Sequence, residues 1–197
     1  YPRGLPPQGS YLFKHALIQD AAYQSLLKSR RGQYHQRIAQ VLEERFPETV
    51  ETQPELVAHH YTEAALIAQA IPYWQKAGQR AIKRSANLEA ISHLRKGLEL
   101  LKTQPDNPER LQLELGLQAA LGVPLMATKG FTAPEVLAVY TRARELCRQV
   151  GETPQLYPVL YGVWAFYFIR AELQTARELG EEFVHMTQRQ SDSDHLL

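Results

Sequence analysis

Apolar residues recur every three or four positions along nearly the whole chain, and this spacing constrains the fold more than any other feature. It is the spacing of one face of an α-helix, and prolines, glycines and short polar turns divide it into about nine segments. Only Tyr11-Leu12-Phe13 alternates as a strand or an extended entry would. A mostly parallel sheet is therefore excluded, and we expect an all-α fold.

Several helix boundaries are predicted from capping chemistry. A Thr-x-x-Glu pattern begins at Thr52 and again at Thr132, and Asn107 directly precedes a proline. Such side chains accept hydrogen bonds from the free backbone N–H groups at the start of a helix. We expect Pro124 to kink or end its helix, and Gly151 to close the helix before it.

Small and large residues follow a pattern that is typical of tetratricopeptide repeats. The clearest copy is Trp74-x2-Ala77-Gly78-x2-Ala81, then Ala90-x3-Leu94-x2-Gly97. Copies of the second half begin at Val136 and Ala176, after intervals of 46 and 40 residues against a nominal period of about 34. Small residues let paired helices approach, and large residues fill the remaining space. We predict stacked antiparallel helix pairs that form a tetratricopeptide-like, right-handed solenoid.

Composition and charge narrow the class of protein. The chain is 44% hydrophobic and 22% charged, as folded globular proteins are, and its net charge is only +1. No overall field would therefore draw it to nucleic acid or membrane. The longest apolar run, residues 159–169, is too short for a bilayer, which requires about 20 residues. The single cysteine, Cys147, suits a reducing compartment, so we expect a cytoplasmic protein.

No motif specifies catalysis. The patterns Gly-x4-Gly-Lys-Ser/Thr, Gly-x-Gly-x-x-Gly and Cys-x-x-Cys are absent. His59 and Glu63 lie one helical turn apart and could begin a metal site, but two ligands do not complete one, so a packing role is favoured. The other histidines are scattered: His15, His35, His93, His185 and His195. We predict no catalytic residue, metal or cofactor in this chain, and keep a metal-dependent hydrolase as an alternative.

Two groups of basic residues could contact phosphates. They are Lys76, Arg80, Lys83 and Arg84, and earlier Lys28, Arg30, Arg31 and Arg37. Residues 1–102 hold 14 basic against 9 acidic side chains, whereas residues 103–197 hold 8 against 12. Basic residues of this kind commonly lie on solvated helix faces, and we favour that interpretation. A nucleic-acid-binding module that uses the basic half of the chain is kept as an alternative function.

Aromatic residues are concentrated near the end of the chain. They are Tyr157, Tyr161, Trp164, Phe166, Tyr167 and Phe168. Such a segment is usually core, but these rings exceed what one helical stripe can bury. We expect part of this face to be exposed, as a groove for a ligand or peptide, or covered by a further repeat.

Several motifs resemble a family of large bacterial signalling ATPases, the STAND-type regulators, which are often fused to a class III adenylate/guanylate cyclase, a kinase or a DNA-binding domain. The motifs are Phe13-Lys14-His15-Ala16-Leu17-Ile18-Gln19-Asp20-Ala21-Ala22-Tyr23, Leu26-Leu27, Arg30-Arg31, Ala58-His59-His60-Tyr61, Ala70-Ile71-Pro72-Tyr73-Trp74 and Ala77-Gly78.

The resemblance implies that residues 1–50 end a winged-helix-like subdomain of an upstream ATPase and that residues 51–197 are a repeat array, truncated at its C-terminus. It also implies that His15 could approach a nucleotide bound by the upstream ATPase. The Ser-x-x-Asp sequence at Ser191 predicts a further helix start, so we expect both ends to be cuts through a longer polypeptide. The predicted function is a non-catalytic protein-interaction and regulatory sensor arm, whose partner is a protein, the upstream ATPase domain or a small inducer. A stand-alone adaptor is a further alternative.

Overall fold

The computed structural model describes residues 2–3, 10–11, 16–151 and 154–194. Two short strands, β1 (Pro2–Arg3) and β2 (Ser10–Tyr11), pair in antiparallel fashion. Of the predicted extended stretch, Tyr11 lies in β2, and residues 12 and 13 fall outside the described residues.

Helices make up nearly all of the rest of the described chain. They are α1 (Ala16–Ser25), α2 (Lys28–Arg45), α3 (Pro47–Thr52), α4 (Pro54–Glu63), α5 (Ile67–Lys83), α6 (Asn87–Leu101), α7 (Pro108–Lys129), α8 (Pro134–Val150), α9 (Leu156–Ile169) and α10 (Leu173–Asp194). The short helix α3 is one more than the sequence predicts, because Pro47 begins a helix there, in the first turn, where a missing N–H is harmless.

The helices pack in chain order. α2 packs on α4, and from α4 onward each helix packs on the next. In addition α5 contacts α7, and α7 contacts α9, so the first helices of successive pairs also meet. The described chain is therefore all-α, with helix pairs stacked as in a solenoid, and the predicted fold class is confirmed in this form. No described helix is long and apolar enough to cross a membrane.

The turns between paired helices show an internal repeat. Ala65, Ser85 and Ala171 each lie between two consecutive helices and have a positive φ of 57°. This left-handed backbone conformation of a single residue ends the first helix and begins the turn to the next. After Ser85 the next backbone N–H bonds to Ala81 O, five residues back, and the residue after Ala171 makes the same bond. A register of 86 residues therefore aligns the α5–α6 pair with the α9–α10 pair.

Each pair of helices meets through a glycine and a large side chain. A Cβ at Gly78 of α5 would lie 2.5 Å from Cγ of Leu94 in α6. A Cβ at Gly122 of α7 would overlap the ring of Tyr140 in α8. In the third pair the sizes are exchanged: the register aligns Gly78 with Trp164 of α9, and the glycine, Gly180, lies on α10.

The capping predictions are partly wrong. Asn107 does cap α7, because its side chain accepts from Arg110 N at 2.7 Å, and Gly151, with φ 95°, does close α8. Thr52, however, ends α3 and its hydroxyl donates to a carbonyl within that helix. Thr132 also makes no cap, since the N-cap of α8 is the next residue and has no side-chain bond.

Two predicted helix boundaries do not exist. Pro124 is buried inside α7, which continues to Lys129. A proline costs a helix about 3 kcal/mol, but α7 packs against α6, α8 and α9, and this burial outweighs the cost. The predicted helix start at Ser191 is also absent, because α10 runs through residue 194.

Candidate binding surfaces

The outer face of α9 carries an exposed row of aromatic rings. Tyr161 and Phe168 are 57% and 52% exposed, and Trp164 lies between them. The Trp164 ring stacks on Phe168 with centroids 4.9 Å apart and lies 5.8 Å from Tyr161. The opposite face is buried, so part of this aromatic segment is exposed in the described chain, which leaves open whether a ligand, a peptide or a further repeat covers it. We call these three residues the aromatic row.

A pocket opens where α9 meets α10. Its volume is about 250 Å³, and its lining consists of Leu160, Tyr161, Trp164, Leu179, Gly180 and Phe183. Apart from the Tyr161 phenol, no ionisable group lines it. Leu160 and Leu179 are buried and form the floor. Such a pocket suits an apolar side chain rather than a charged one.

A polar groove of about 460 Å³ runs between α6 and α8, above α7. Arg95, Lys102 and Arg110 line it together with two carboxylates. One of these, Glu114, is only 9% exposed and accepts two bonds from Arg142 of α8, at 2.7 and 3.1 Å. Arg110 pairs with Asp106 in turn, so both Glu114 and Arg110 have charged partners within the protein.

A cluster of imidazoles joins α1, α2 and α4. Nδ1 of His35 lies 2.7 Å from Nδ1 of His60, and Nε2 of His35 lies 2.9 Å from the hydroxyl of Tyr23 in α1. The ring of His59 is 5.8 Å from His35 and 5.4 Å from His60. One ring must donate to the other, so the His35–His60 pair requires at least one protonated Nδ1 and one free lone pair.

Burial is the main cause that lowers the pKa of both His35 and His60 below 6.5. Positive charge on His59 lowers both pKa values further, while the carboxylate of Glu63 raises them. Arg31 also lowers the pKa of His35. The folded state therefore favours neutral imidazoles at His35 and His60.

We expect the free energy of unfolding to decrease as pH falls below about 6.5. In that range His35 and His60 bind protons in the unfolded chain but stay neutral in the folded chain, because their folded pKa values are lower. This contribution is complete above the ordinary pKa and is lost toward the lowered pKa values. Urea unfolding between pH 5 and pH 8 measures it. A His35→Gln/His60→Gln variant should show a flatter profile, and an equal slope in both proteins would contradict the assignment.

A second polar cluster ties α2 to α4 and α5. The carboxylate of Glu43 accepts from the hydroxyls of Tyr61 and Tyr73, each at 2.5 Å. Burial, followed by this hydrogen bond, raises the pKa of Tyr73 to about 12 and raises that of Tyr61 as well. Both phenols thus stay neutral donors. Glu43 was not singled out in the sequence, because nothing in its spacing shows that two tyrosines of other helices converge on it.

The predicted site residues are only partly brought together. His15 lies outside the described residues. His59 and Glu63 share α4, but no group of three or more His, Cys, Asp or Glu among the described side chains could hold a metal ion. His35 lies far from His60 in the sequence, and only the packing of α2 on α4 brings the two rings into contact.

The basic residues do not form one free surface. Lys76 pairs with Glu51, and Arg84 pairs with Glu89 at 2.9 Å. Arg31 donates to a glutamine of α1 and lies 5.1 Å above the Tyr23 ring. These pairings reduce the positive charge that both groups could offer to phosphates.

Comparisons with known proteins identify a similar sequence but no family. No family model matches the chain, and no solved structure matches it. The chain is similar to an uncharacterized protein of Rhizobium meliloti (strain 1021), with 28% identity over 162 residues. The match covers 81% of this chain but 16% of that protein, so the chain spans about a sixth of its relative's length. The resemblance to STAND-type ATPases therefore stays a prediction.

Proposed function

We propose that this chain is a non-catalytic protein-interaction arm that regulates a larger signalling ATPase. The observation that carries the proposal is the exposed aromatic row on α9 of the described chain. Along the described array α7 covers α5 and α9 covers α7, whereas the corresponding face of α9 exposes the aromatic row. Exposed aromatic surface of this kind is typical of protein–protein contacts.

The arm would act by differential binding. A partner on the α9–α10 face would favour one of two arrangements of the attached ATPase, and the output would change by the difference in its affinity for the two. Stacked pairs suit this task because each helix pair contacts mainly its neighbours, so a contact at one pair can be passed on through the next. The similarity to a much longer protein supports an arm within a larger polypeptide.

The test uses the full-length polypeptide that carries this chain. We expect Tyr161→Asp/Phe168→Asp to change its nucleotide hydrolysis about fivefold or more, the lower end of allosteric coupling. Both side chains are exposed, so the fold should persist. Leu88→Asp is the matched control, since Leu88 is 77% exposed on α6. Equal rates of nucleotide hydrolysis in the wild type, the double variant and the Leu88→Asp control would refute the proposal.

A further inference from the structure

We propose that the imidazole pair of His35 and His60 is a pH-sensitive switch, which holds α1 against α2 while it is neutral and releases α1 when both rings are protonated. This inference goes beyond the proposed function, because it concerns α1, α2 and α4 and requires no partner on α9 or α10.

Apart from the chain itself, α1 is attached to the other helices mainly by one side chain. No other described helix packs closely against α1. Among the α1 side chains whose exposure the structure describes, only that of Tyr23 is partly buried. Its hydroxyl lies 2.9 Å from Nε2 of His35, and the guanidinium of Arg31, which also donates to Gln24, lies 5.1 Å from the centre of its ring. The position of α1 therefore depends on the position of the His35 ring.

The pair has room for only one proton between its two rings. Nδ1 of His35 faces Nδ1 of His60 at 2.7 Å, so one nitrogen donates and the other accepts. A first added proton goes to Nε2 of the donor ring, and the bond between the two Nδ1 atoms remains. A second added proton would place an N–H on both facing atoms, and neither would keep a lone pair to accept with. Protonation of both rings is therefore incompatible with this contact.

Displacement of α1 is the easiest way to bring water to a protonated His35. The ring is only 8% exposed, and burial disfavours its charged form. On one side, α2 and α4 share a core that contains Ala39 and Val57, so these two helices resist separation. On the other side the ring contacts Tyr23, whose helix is otherwise exposed where its side chains are described. Protonation thus favours an arrangement in which α1 has moved away.

The groups that face the pair set the pH at which the switch operates. Burial is the first cause that lowers both pKa values, positive charge on His59 lowers both further, and Arg31 lowers that of His35. The carboxylate of Glu63 raises both, and Tyr23 is the titratable group that faces the pair from α1. These main charged groups lie on α2 and α4, and none of them lies on α3 or α5, which pack against the same helices. Because the pKa values are lowered in the fold, we expect release of α1 only below about pH 6.5, the ordinary pKa of histidine.

The experiment measures the distance between two spin labels in the full 197-residue chain by pulsed electron paramagnetic resonance. The labels are attached at Ala22→Cys on α1 and Glu44→Cys on α2, which are exposed positions, whereas the natural Cys147 is buried. Between pH 8 and pH 5 we expect the distance distribution to become longer and broader. His60→Asn keeps an acceptor for Nδ1 of His35 but cannot be protonated, so it should move this transition down by about one pH unit or more.

His59→Asn is the matched control for His60→Asn. His59 is the exposed neighbour on the same helix, and its ring lies beside the pair without taking part in the bond between the two Nδ1 atoms. This variant should keep the transition at the same pH or at a slightly higher one, because a nearby positive charge is lost. Circular dichroism at each pH follows the helices of the whole chain.

Three outcomes would overturn the inference. The first is a distance distribution of the labelled chain that is the same at pH 8 and pH 5. The second is an equal transition pH with and without His60→Asn, which would assign the movement to another group. The third is loss of the helical signal of the whole chain at the pH where the distance changes, which would make the movement part of acid unfolding.

Discussion

Replacement of Gly122 by alanine is expected to destabilise the fold by about 3 kcal/mol, at the upper end of typical overpacking effects. The added Cβ would overlap Cζ of Tyr140, which is only 4% exposed. The ring cannot move away from α7, because α9 packs against its other side: a Cβ at Gly162 of α9 would lie 2.5 Å from the same Cζ atom. Tyr140 thus locks α7, α8 and α9 together, and the denaturant midpoint measures the loss.

Gly116→Ala, in the same helix, is the matched control for Gly122→Ala. Its Cβ would meet the amide group of Gln75, with Nε2 nearest at 2.7 Å, which is the far end of a flexible side chain. Alanine also favours a helix over glycine by about 1 kcal/mol, so this variant should be neutral or slightly more stable. Tyr140→Leu should largely remove the penalty of Gly122→Ala, because the ring is then absent. Additive effects of the two changes would contradict the steric explanation.

Glu43→Ala is expected to cost about 3 kcal/mol, because it removes the acceptor of two phenol hydroxyls at once. Tyr61 is 3% exposed and Tyr73 is half-buried, so at least one hydroxyl would lack a water partner. Glu43 also joins α2 to α4 and α5. We therefore expect faster amide hydrogen exchange in α2, in addition to a lower denaturant midpoint.

The exposed neighbour Glu44 provides the control for Glu43. Glu44→Ala removes the same charge from the same helix and should change stability by less than about 0.5 kcal/mol. Glu43→Gln keeps one acceptor and should fall between the two. In a Tyr61→Phe/Tyr73→Phe background the cost of Glu43→Ala should become small. Equal effects of Glu43→Ala and Glu44→Ala would mean that the two hydrogen bonds contribute nothing.

The fold class was predictable because it depends on the spacing of apolar residues along the chain. A core-facing helix must repeat its apolar residues every three to four positions, and this requirement is visible without coordinates. A close approach of paired helices at Gly78 was also predictable, from the pattern of small residues, although its contact with Leu94 was not. The capping role predicted for Thr52 was wrong, because Thr52 ends α3 and its hydroxyl donates to a carbonyl of that helix. The packed structure decides whether such a side chain bonds to the helix before it or to the helix after it.

The candidate surfaces were less predictable, because most of their residues are distant in sequence. An exposed face was predicted for the aromatic segment, because it contains more aromatic rings than one buried face of a helix can hold. His35 and His60 are 25 residues apart, and Glu43 and Tyr73 are 30 apart. Nothing in their local spacing predicts that they touch.

The sequence by itself determined that this protein is a series of paired helices, since helical periodicity and small-residue positions are local properties of the chain. Only the tertiary structure decided where Pro124 could be tolerated, which histidines meet, and which residues line the pocket between α9 and α10. Each of these depends on contacts between helices, where burial and side-chain volume outweigh local preference. Gly180 shows the difference: its place in the repeat pattern predicts a close approach of two helices, but only the tertiary structure places it beside Trp164 in the lining of a pocket.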